Sequence, residues 1–357
     1  MISSQENFRS CLVIQTAFIG DAILTLPMIQ VLHKQYPNLA IDVVVVPRAA
    51  ELFTNHPDIR EIFPYDKRSF GGVLGYFRLR KRLRSREYDL AIVPHRSVRS
   101  AMIAKGAKIP VRIGFDLSSA PKRFTETVRY RENIHESERN ISLLKPLQIE
   151  VKETIYPDLY PSRQDHKAVE NFLLANGFRN SQQLIGIAPG TVWNTKRWLK
   201  ERFAQLAQEL SKAGNFVVLI GGNDDVNLCK EIEDLAAHPS VINAAGKLSL
   251  LKSAALIQRC SVLVSNDSAP MHIAVAMKTQ VVGIFGATVP SFGFAPYGQH
   301  DVVVETIGLT CRPCTRHGGK QCPIKTFECM DRIRVEEVFQ IVMRLIGHSN
   351  VSARTTR

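Results

Sequence analysis

Short apolar runs rich in Val, Ile and Leu alternate with helical patterns along almost the whole chain. In the first half, 11–17, 41–46, 88–93 and 111–115 read as strands, and 21–35, 70–86, 97–107 and 136–147 as helices. In the second half the strand runs are 184–188, 216–220, 241–243, 261–264 and 280–285. Helical patterns at 200–212, 224–237, 249–259 and from Pro270 lie between them. The strand runs are continuously apolar, as expected for parallel strands covered on both faces. Such alternation predicts an α/β chain with doubly wound parallel sheets. At 357 residues the chain exceeds one ordinary core. Residues 151–164, with Pro157 and Pro161 and little periodicity, read as the linker. The expected domains are 1–160 and 161–347, the second ending in a closing helix over 335–346. The polar tail 348–357 is expected to fray. Two such sheets would face each other across a cleft, because ligands in this architecture bind at the carboxyl ends of strands.

Composition narrows the class. The chain is 45% hydrophobic and 22% charged, as in globular domains. No apolar stretch reaches the ~18 residues that would span a bilayer. The first apolar segment is broken by Gly20 and Asp21 and lacks a basic leader, so no signal peptide is expected. The expectation is a cytoplasmic protein with reduced thiols. A net charge of +13 favours an acidic partner. Residues 1–150 carry 23 Lys and Arg against 15 Asp and Glu; the remainder carries 23 against 18. The first half is therefore expected to meet the larger acidic partner. Arg78, Arg80, Lys81, Arg82, Arg84 and Arg86 crowd one helical stretch with Phe70, Val73, Leu74, Phe77 and Leu83. That pattern fits either a solvated face packed on a sheet or a basic amphipathic helix on an anionic membrane surface.

The most informative motif is Ser265-Asn266-Asp267-Ser268-Ala269-Pro270-Met271-His272. It follows a strand run and opens a helix, with Asp267 or Ser268 as cap and Pro270 in the first turn. A helix start at the carboxyl end of a parallel strand offers free N–H groups and a positive dipole end to an anion. His272 could add a donor; the alternative is a capped helix with a half-buried His. Pro189-Gly190-Thr191, with Lys196 and Trp198 beyond it, supplies a glycine turn, a hydroxyl and a point charge for phosphate. The alternative is a surface loop with a solvated lysine. Gly221-Gly222-Asn223-Asp224-Asp225 could hold ribose hydroxyls or simply cap the next helix. Asp21, in Phe18-Ile19-Gly20-Asp21, joins a strand to a helix, as either a general base or a cap. Neither GxxxxGK[ST] nor GxGxxG occurs, which disfavours an ATPase or an ordinary dinucleotide enzyme.

Together these motifs resemble the ADP-heptose:lipopolysaccharide heptosyltransferases, glycosyltransferase family 9. The likeness rests on 18–27 (Phe18 to Pro27), Pro189-Gly190-Thr191 with Lys196 and Trp198, and Asn266 to His272, in the family's order and spacing. It implies a GT-B fold, two Rossmann-like domains with the acceptor in the first and the nucleotide sugar in the second. It also implies inverting, metal-independent transfer without a cofactor. The implied donor is ADP-L-glycero-D-manno-heptose and the implied acceptor the lipid A–Kdo inner core, reached at the inner face of the cytoplasmic membrane. The Cys-rich stretch 311–329 resembles the branch that adds the second heptose. By resemblance Asp21 matches the catalytic base, and Thr191 and Lys196 the diphosphate positions. Asp267, Ser268 and His272 match the donor-sugar turn, in which Ala269 keeps the site small, and Gly190 lets backbone approach the phosphate. The ribose contact stays open among Asn223, Asp224 and Asp225. Ser268-Ala269 stands where the family often has Thr-Gly.

For the acceptor, Gly20, His95, Arg96, Arg99 and Arg112 are the candidates, the arginines to hold carboxylates and phosphates. Cys311, Cys314, Cys322 and Cys329 lie within reach of a structural zinc site; reduced thiols and disulfides are the other readings. A related transferase using another nucleotide sugar or core position is the nearest alternative, and a sugar-nucleotide epimerase a further one. A nucleic-acid-binding protein is suggested by charge alone and lacks any recognition signature, so no nucleic acid partner is expected.

Overall fold

In the computed structural model the described residues are 8–66 and 72–355, with side chains described for 8–66 and 74–347. The chain divides into two compact units between Tyr160 and Pro161. The first contains six parallel strands: β1 (Ser10–Gln15), β2 (Ala40–Val45), β3 (Glu61–Pro64), β4 (Leu90–Val93), β5 (Val111–Phe115) and β6 (Glu126–Val128). The second contains β7 (Leu184–Ala188), β8 (Phe216–Leu219), β9 (Val241–Asn243), β10 (Val262–Asn266), β11 (Gln280–Phe285) and β12 (Val302–Glu305), also parallel.

The spatial orders are β3-β2-β1-β4-β5-β6 and β12-β11-β10-β7-β8-β9. Counted within each unit, both are 3-2-1-4-5-6, the order of a Rossmann-type sheet. The architecture is therefore α/β with two doubly wound sheets, the GT-B fold. In each sheet the chain reverses direction of growth between its first and fourth strands. These are β1 and β4 in one unit, β7 and β10 in the other. Ligands of open α/β sheets bind outside the carboxyl ends at that switch point.

Each sheet is buried on its own core. Leu12, Ile14, Val44, Phe63, Ala91, Val93 and Ile103 belong to the first. Ile185, Ile187, Trp198, Phe203, Val217, Val264 and Ile284 belong to the second. The Trp198 indole N–H donates to the Ile333 carbonyl at 3.2 Å, so this motif tryptophan is structural.

Several elements differ from the sequence expectation. The helix expected over 21–35 is two helices, Ile19–Ile23 and Leu26–Gln35. Pro27 has no N–H for the Ile23 carbonyl and would clash with it, and the Thr25 hydroxyl donates to the Asp21 carbonyl at 2.8 Å. Strands β3, β6 and β12 were not expected; all three are sheet edges. The region read as a linker ends sooner, at the helix Arg163–Ala175, whose start is capped reciprocally by Ser162 and Asp165. The closing helix runs over Val335–Thr355, past the boundary at which a frayed tail was expected. One glycine, Gly347, costs a helix only about 1 kcal/mol, and no proline follows. The basic helix spans Gly72–Arg84. Phe70 lies outside the described residues, as does the side chain of Val73.

Candidate active site

In the second unit, β7 and β10 carry the candidate donor residues at their carboxyl ends. The loop after β7 holds Gly190, Thr191 and Lys196. The turn after β10 holds Asp267 and Ser268 before the helix Ala269–Ala276. Asn266 staples the two together: its side-chain oxygen accepts from Trp198 N at 3.0 Å and its amide donates to the Pro189 carbonyl at 2.8 Å. Lys196 Nζ then lies 2.6 Å from Asp267 Oδ2, with the two side chains only 13% and 8% exposed. The same oxygen accepts from the Thr288 hydroxyl at 2.7 Å. A largely desolvated lysine is thus held beside a helix N-terminus.

That helix start has Ser268 as N-cap, but its side chain makes no capping hydrogen bond, so it leaves the first-turn N–H groups uncapped by a side chain. Ala269 is the first helical residue and His272 the fourth; His272 is buried. Thr191 is also buried, and its carbonyl accepts two bonds from the Arg197 guanidinium, at 2.8 and 3.2 Å. Gly190 is needed at its position: a Cβ there would lie 2.2 to 2.5 Å from the Asp225 carboxylate. Asp225 in turn accepts from Gly222 N at 3.0 Å, the capping role, and burial raises its pKa. Asn223 and Asp224 are exposed.

In the first unit, the corresponding position after β1 carries Gly20 and Asp21 within the helix Ile19–Ile23. Asp21 is half-buried, and its carboxylate accepts a long 3.3 Å bond from Phe18 N. After β4, His95 Nδ1 lies 3.0 Å from the Thr16 hydroxyl and 3.1 Å from that of Ser100. The ring is therefore oriented by a hydroxyl cluster. The Arg96 guanidinium stacks over the Tyr130 ring at 4.1 Å. Arg99 is exposed in the first turn of the helix Val98–Gly106.

Arg112 corrects its expectation. It is the second residue of β5, at the amino end of the strand, opposite to the end that binds ligands. Its guanidinium donates to the carbonyls of Ile109, Pro110 and Arg123. It is a structural residue of the 109–125 loops, not a candidate for acceptor phosphates.

Glu136 had no sequence signal and lies among these groups. It is buried and paired with the buried Arg139. Burial pushes its carboxyl up to about 7; Arg139 and Arg96 pull it down, and the Asp21 charge pushes it up. Asp21 and Arg96 are thus both within its electrostatic reach. Asn266, Arg197 and Thr288 are other residues the sequence reading did not single out. Asn266 stood inside the motif and Arg197 beside Lys196; Thr288 carries no local signal.

The four clustered cysteines are free thiols, without a disulfide. Among the described residues no group of three or more His, Cys, Asp or Glu side chains is arranged to hold a metal ion. Cys311, Cys314 and Cys322 are half-buried in loop backbone. Cys329 is buried in the core of the second unit.

The two Rossmann-type sheets thus place a buried lysine beside a helix start in one unit and a half-buried carboxylate at the equivalent switch point in the other. The chain belongs to glycosyltransferase family 9 (heptosyltransferase), whose sequence model matches residues 76–325. It is 29% identical over 302 residues to lipooligosaccharide heptosyltransferase 2 of Haemophilus influenzae, covering 79% of this chain and 84% of that one. It is 30% identical to lipopolysaccharide heptosyltransferase 3 of Escherichia coli over 290 residues, covering 76% and 82%. The solved Escherichia coli ADP-heptose heptosyltransferase II shares the fold with a TM-score of 0.79 at 24% identity, covering 96% of this chain and 99% of that one.

Proposed function

We propose that this glycosyltransferase moves a heptose from ADP-L-glycero-D-manno-heptose to the lipopolysaccharide inner core, extending an acceptor that already bears one heptose. The observation that carries the reading is the Lys196–Asp267 pair at the mouth of the helix Ala269–Ala276, in a chain of this family. In this reading Gly190, Thr191, Lys196 and, in the 267–270 turn, the N–H groups of Ser268 and Ala269 hold the diphosphate of the donor. Asp267 and His272 lie by the sugar, and Asn223 or Asp225 meets the ribose. The acceptor hydroxyl attacks the anomeric carbon from the face opposite the departing ADP and inverts it. Asp21 takes the hydroxyl proton as the carbon–oxygen bond to the diphosphate breaks. The charge left on ADP is met by Lys196 and the helix amides, the role a divalent ion plays elsewhere. Arg96 and Arg99, with His95, face the acidic core saccharide.

The likeness to a heptosyltransferase 3 as well as to heptosyltransferases 2 keeps a second core position open. Incubation with ADP-heptose and core acceptors truncated before, at and after the first heptose, read by mass spectrometry of the lipid, decides it. One added heptose only on the acceptor bearing one supports the reading. Gain only on a longer acceptor moves the position, and no gain on any acceptor overturns the substrate class.

We also propose that the enzyme works while resting on the inner face of the cytoplasmic membrane. Among the described residues no helix is long and apolar enough to cross a membrane. The helix Gly72–Arg84 turns Tyr76, Leu79 and Leu83 to the core. Leu74, Phe77, Arg78, Lys81 and Arg84 recur at helical spacing on the opposite, exposed side, with Leu74 63% and Phe77 53% exposed. Arg82 and Arg86 pair with Glu61, and Arg80 donates to the Gly106 carbonyl. The free part of the face is thus smaller than six cations, yet it combines apolar and basic groups as a peripheral helix does. Flotation with vesicles containing anionic lipid should carry the protein, and a Leu74→Ser, Phe77→Ser variant should stay behind. Equal flotation with neutral vesicles, or none with either, sinks the idea.

A further inference from the structure

We infer that the segment from Arg312 to Gly319, between β12 and the helix Glu328–Asp331, is a positioning strap for Lys196. The inference rests on the reading of Lys196 as the diphosphate-binding lysine. Thr195, the neighbour of Lys196, is buried and exchanges two hydrogen bonds with the strap. Thr195 N donates to the Gly319 carbonyl at 3.0 Å, and Gly319 N donates to the Thr195 hydroxyl oxygen at 2.7 Å. Gly318 presents bare backbone to the lysine stem. A Cβ there would lie 2.9 Å from Lys196 Cγ and Cδ, and Gly318 has φ +87°, a conformation that favours glycine. The Thr315 hydroxyl donates to the Gly318 carbonyl at 2.9 Å and closes the turn.

The other end of the strap is fixed to the opposite side of the same ion pair. The Arg312 guanidinium donates to the carbonyls of Gly286, Thr288 and Thr306 and pairs with Glu305 at 2.7 Å. Cys314 N donates to the Ala287 carbonyl at 2.9 Å. Thr288 is the residue whose hydroxyl bonds Asp267, the partner of Lys196. One short stretch of backbone therefore holds both the loop of the lysine and the loop that feeds its carboxylate. A free lysine side chain samples many rotamers and loses that freedom when it is held in one. Confining its stem against Gly318 removes that freedom before the donor arrives, which is how a fixed shell turns a flexible cation into a preorganised one.

The test is a pair of thermodynamic cycles on the full chain. Thr195→Val keeps the shape but removes the acceptor for Gly319 N, and Thr195→Ser keeps the hydroxyl. ADP affinity by calorimetry and kcat and KM for the donor are measured in the wild-type and Lys196→Ala backgrounds. Losing a hydrogen bond of this kind should weaken ADP binding and kcat/KM by about tenfold. Serine should restore both. In the Lys196→Ala background Thr195→Val should change ADP affinity little, because its effect runs through the lysine. Gly318→Ala should reproduce the Thr195→Val loss and the same dependence on Lys196. Equal losses in both backgrounds, or no loss in either, overturn the strap while leaving the lysine's role intact. If Lys196→Ala itself binds ADP like the wild type, the donor reading and the strap fall together.

Discussion

Lys196→Ala is expected to lower kcat/KM for the sugar-nucleotide donor by roughly 10²–10³, the usual effect of removing one preorganised group that meets developing charge. ADP affinity should fall with it. The expectation follows from the environment of the amine. Lys196 Nζ lies 2.6 Å from Asp267 Oδ2 and both side chains are largely removed from water. A cation there acts through a low effective dielectric. The substitution has a second consequence of definite sign. Asp267 keeps the Thr288 hydroxyl but loses its counter-charge, so its carboxylate then repels a diphosphate. Lys196→Ala combined with Asp267→Asn should therefore bind ADP more tightly than Lys196→Ala alone. Arginine should rescue little: its planar fork needs more room than a point charge, and the strap at Gly318 lies against the stem. Calorimetric titration of ADP into the three variants checks all of this. Wild-type affinity in Lys196→Ala would move the diphosphate elsewhere.

The parts of this fold that could be read from the sequence are those whose local chemistry is decided locally. Central strands such as Leu184–Ala188 and Gln280–Phe285 are covered on both faces, so their composition is nearly all apolar and announces them. Edge strands need only one neighbour. Glu61–Pro64 and Glu126–Val128 are short and mixed, and nothing in three or four such residues separates strand from loop. The candidate site shows the same division. Lys196, Asp267 and Asp21 lie in the short stretches that follow β7, β10 and β1, whose turn and helix-start residues a motif displays. Arg112 was misplaced because an arginine near a strand carries no sign of which end it occupies, nor of the three carbonyls that take up its donors. Glu136 and the Gly318-Gly319 pair act on residues more than 100 positions away, Asp21 in one case and Thr195 in the other. Such partnerships exist only once the chain has folded. The four cysteines stay open for a related reason: their spacing allows a metal site, disulfides or free thiols, and only the fold shows them unpaired and within electrostatic reach of one another.

Asp21→Asn is expected to lower kcat by roughly 10²–10⁴, the range over which a positioned general base acts, and to leave ADP affinity unchanged. The opposite pattern from Lys196→Ala follows from the division of labour proposed for the two units. Asp21 stands after β1 in the first, whereas the diphosphate groups stand after β7 and β10 in the second. Asparagine is the informative replacement because it keeps the local structure. The Asp21 carboxylate accepts a 3.3 Å bond from Phe18 N, and an amide oxygen can accept it too. The charge at the start of a five-residue helix adds no more than about 1 kcal/mol to stability. A large loss of turnover without a comparable loss of stability therefore reports proton transfer, not folding. The adjacent Glu136 sharpens the test. Its carboxyl is buried, held up at about 7, and already engaged by Arg139, so it is poorly placed to take over as base. Glu136→Gln should leave most of the turnover, since glutamine retains an acceptor for Arg139. If instead Asp21→Asn turned over like the wild type and Glu136→Gln did not, the base would be Glu136, and the role given to the residue after β1 would be wrong.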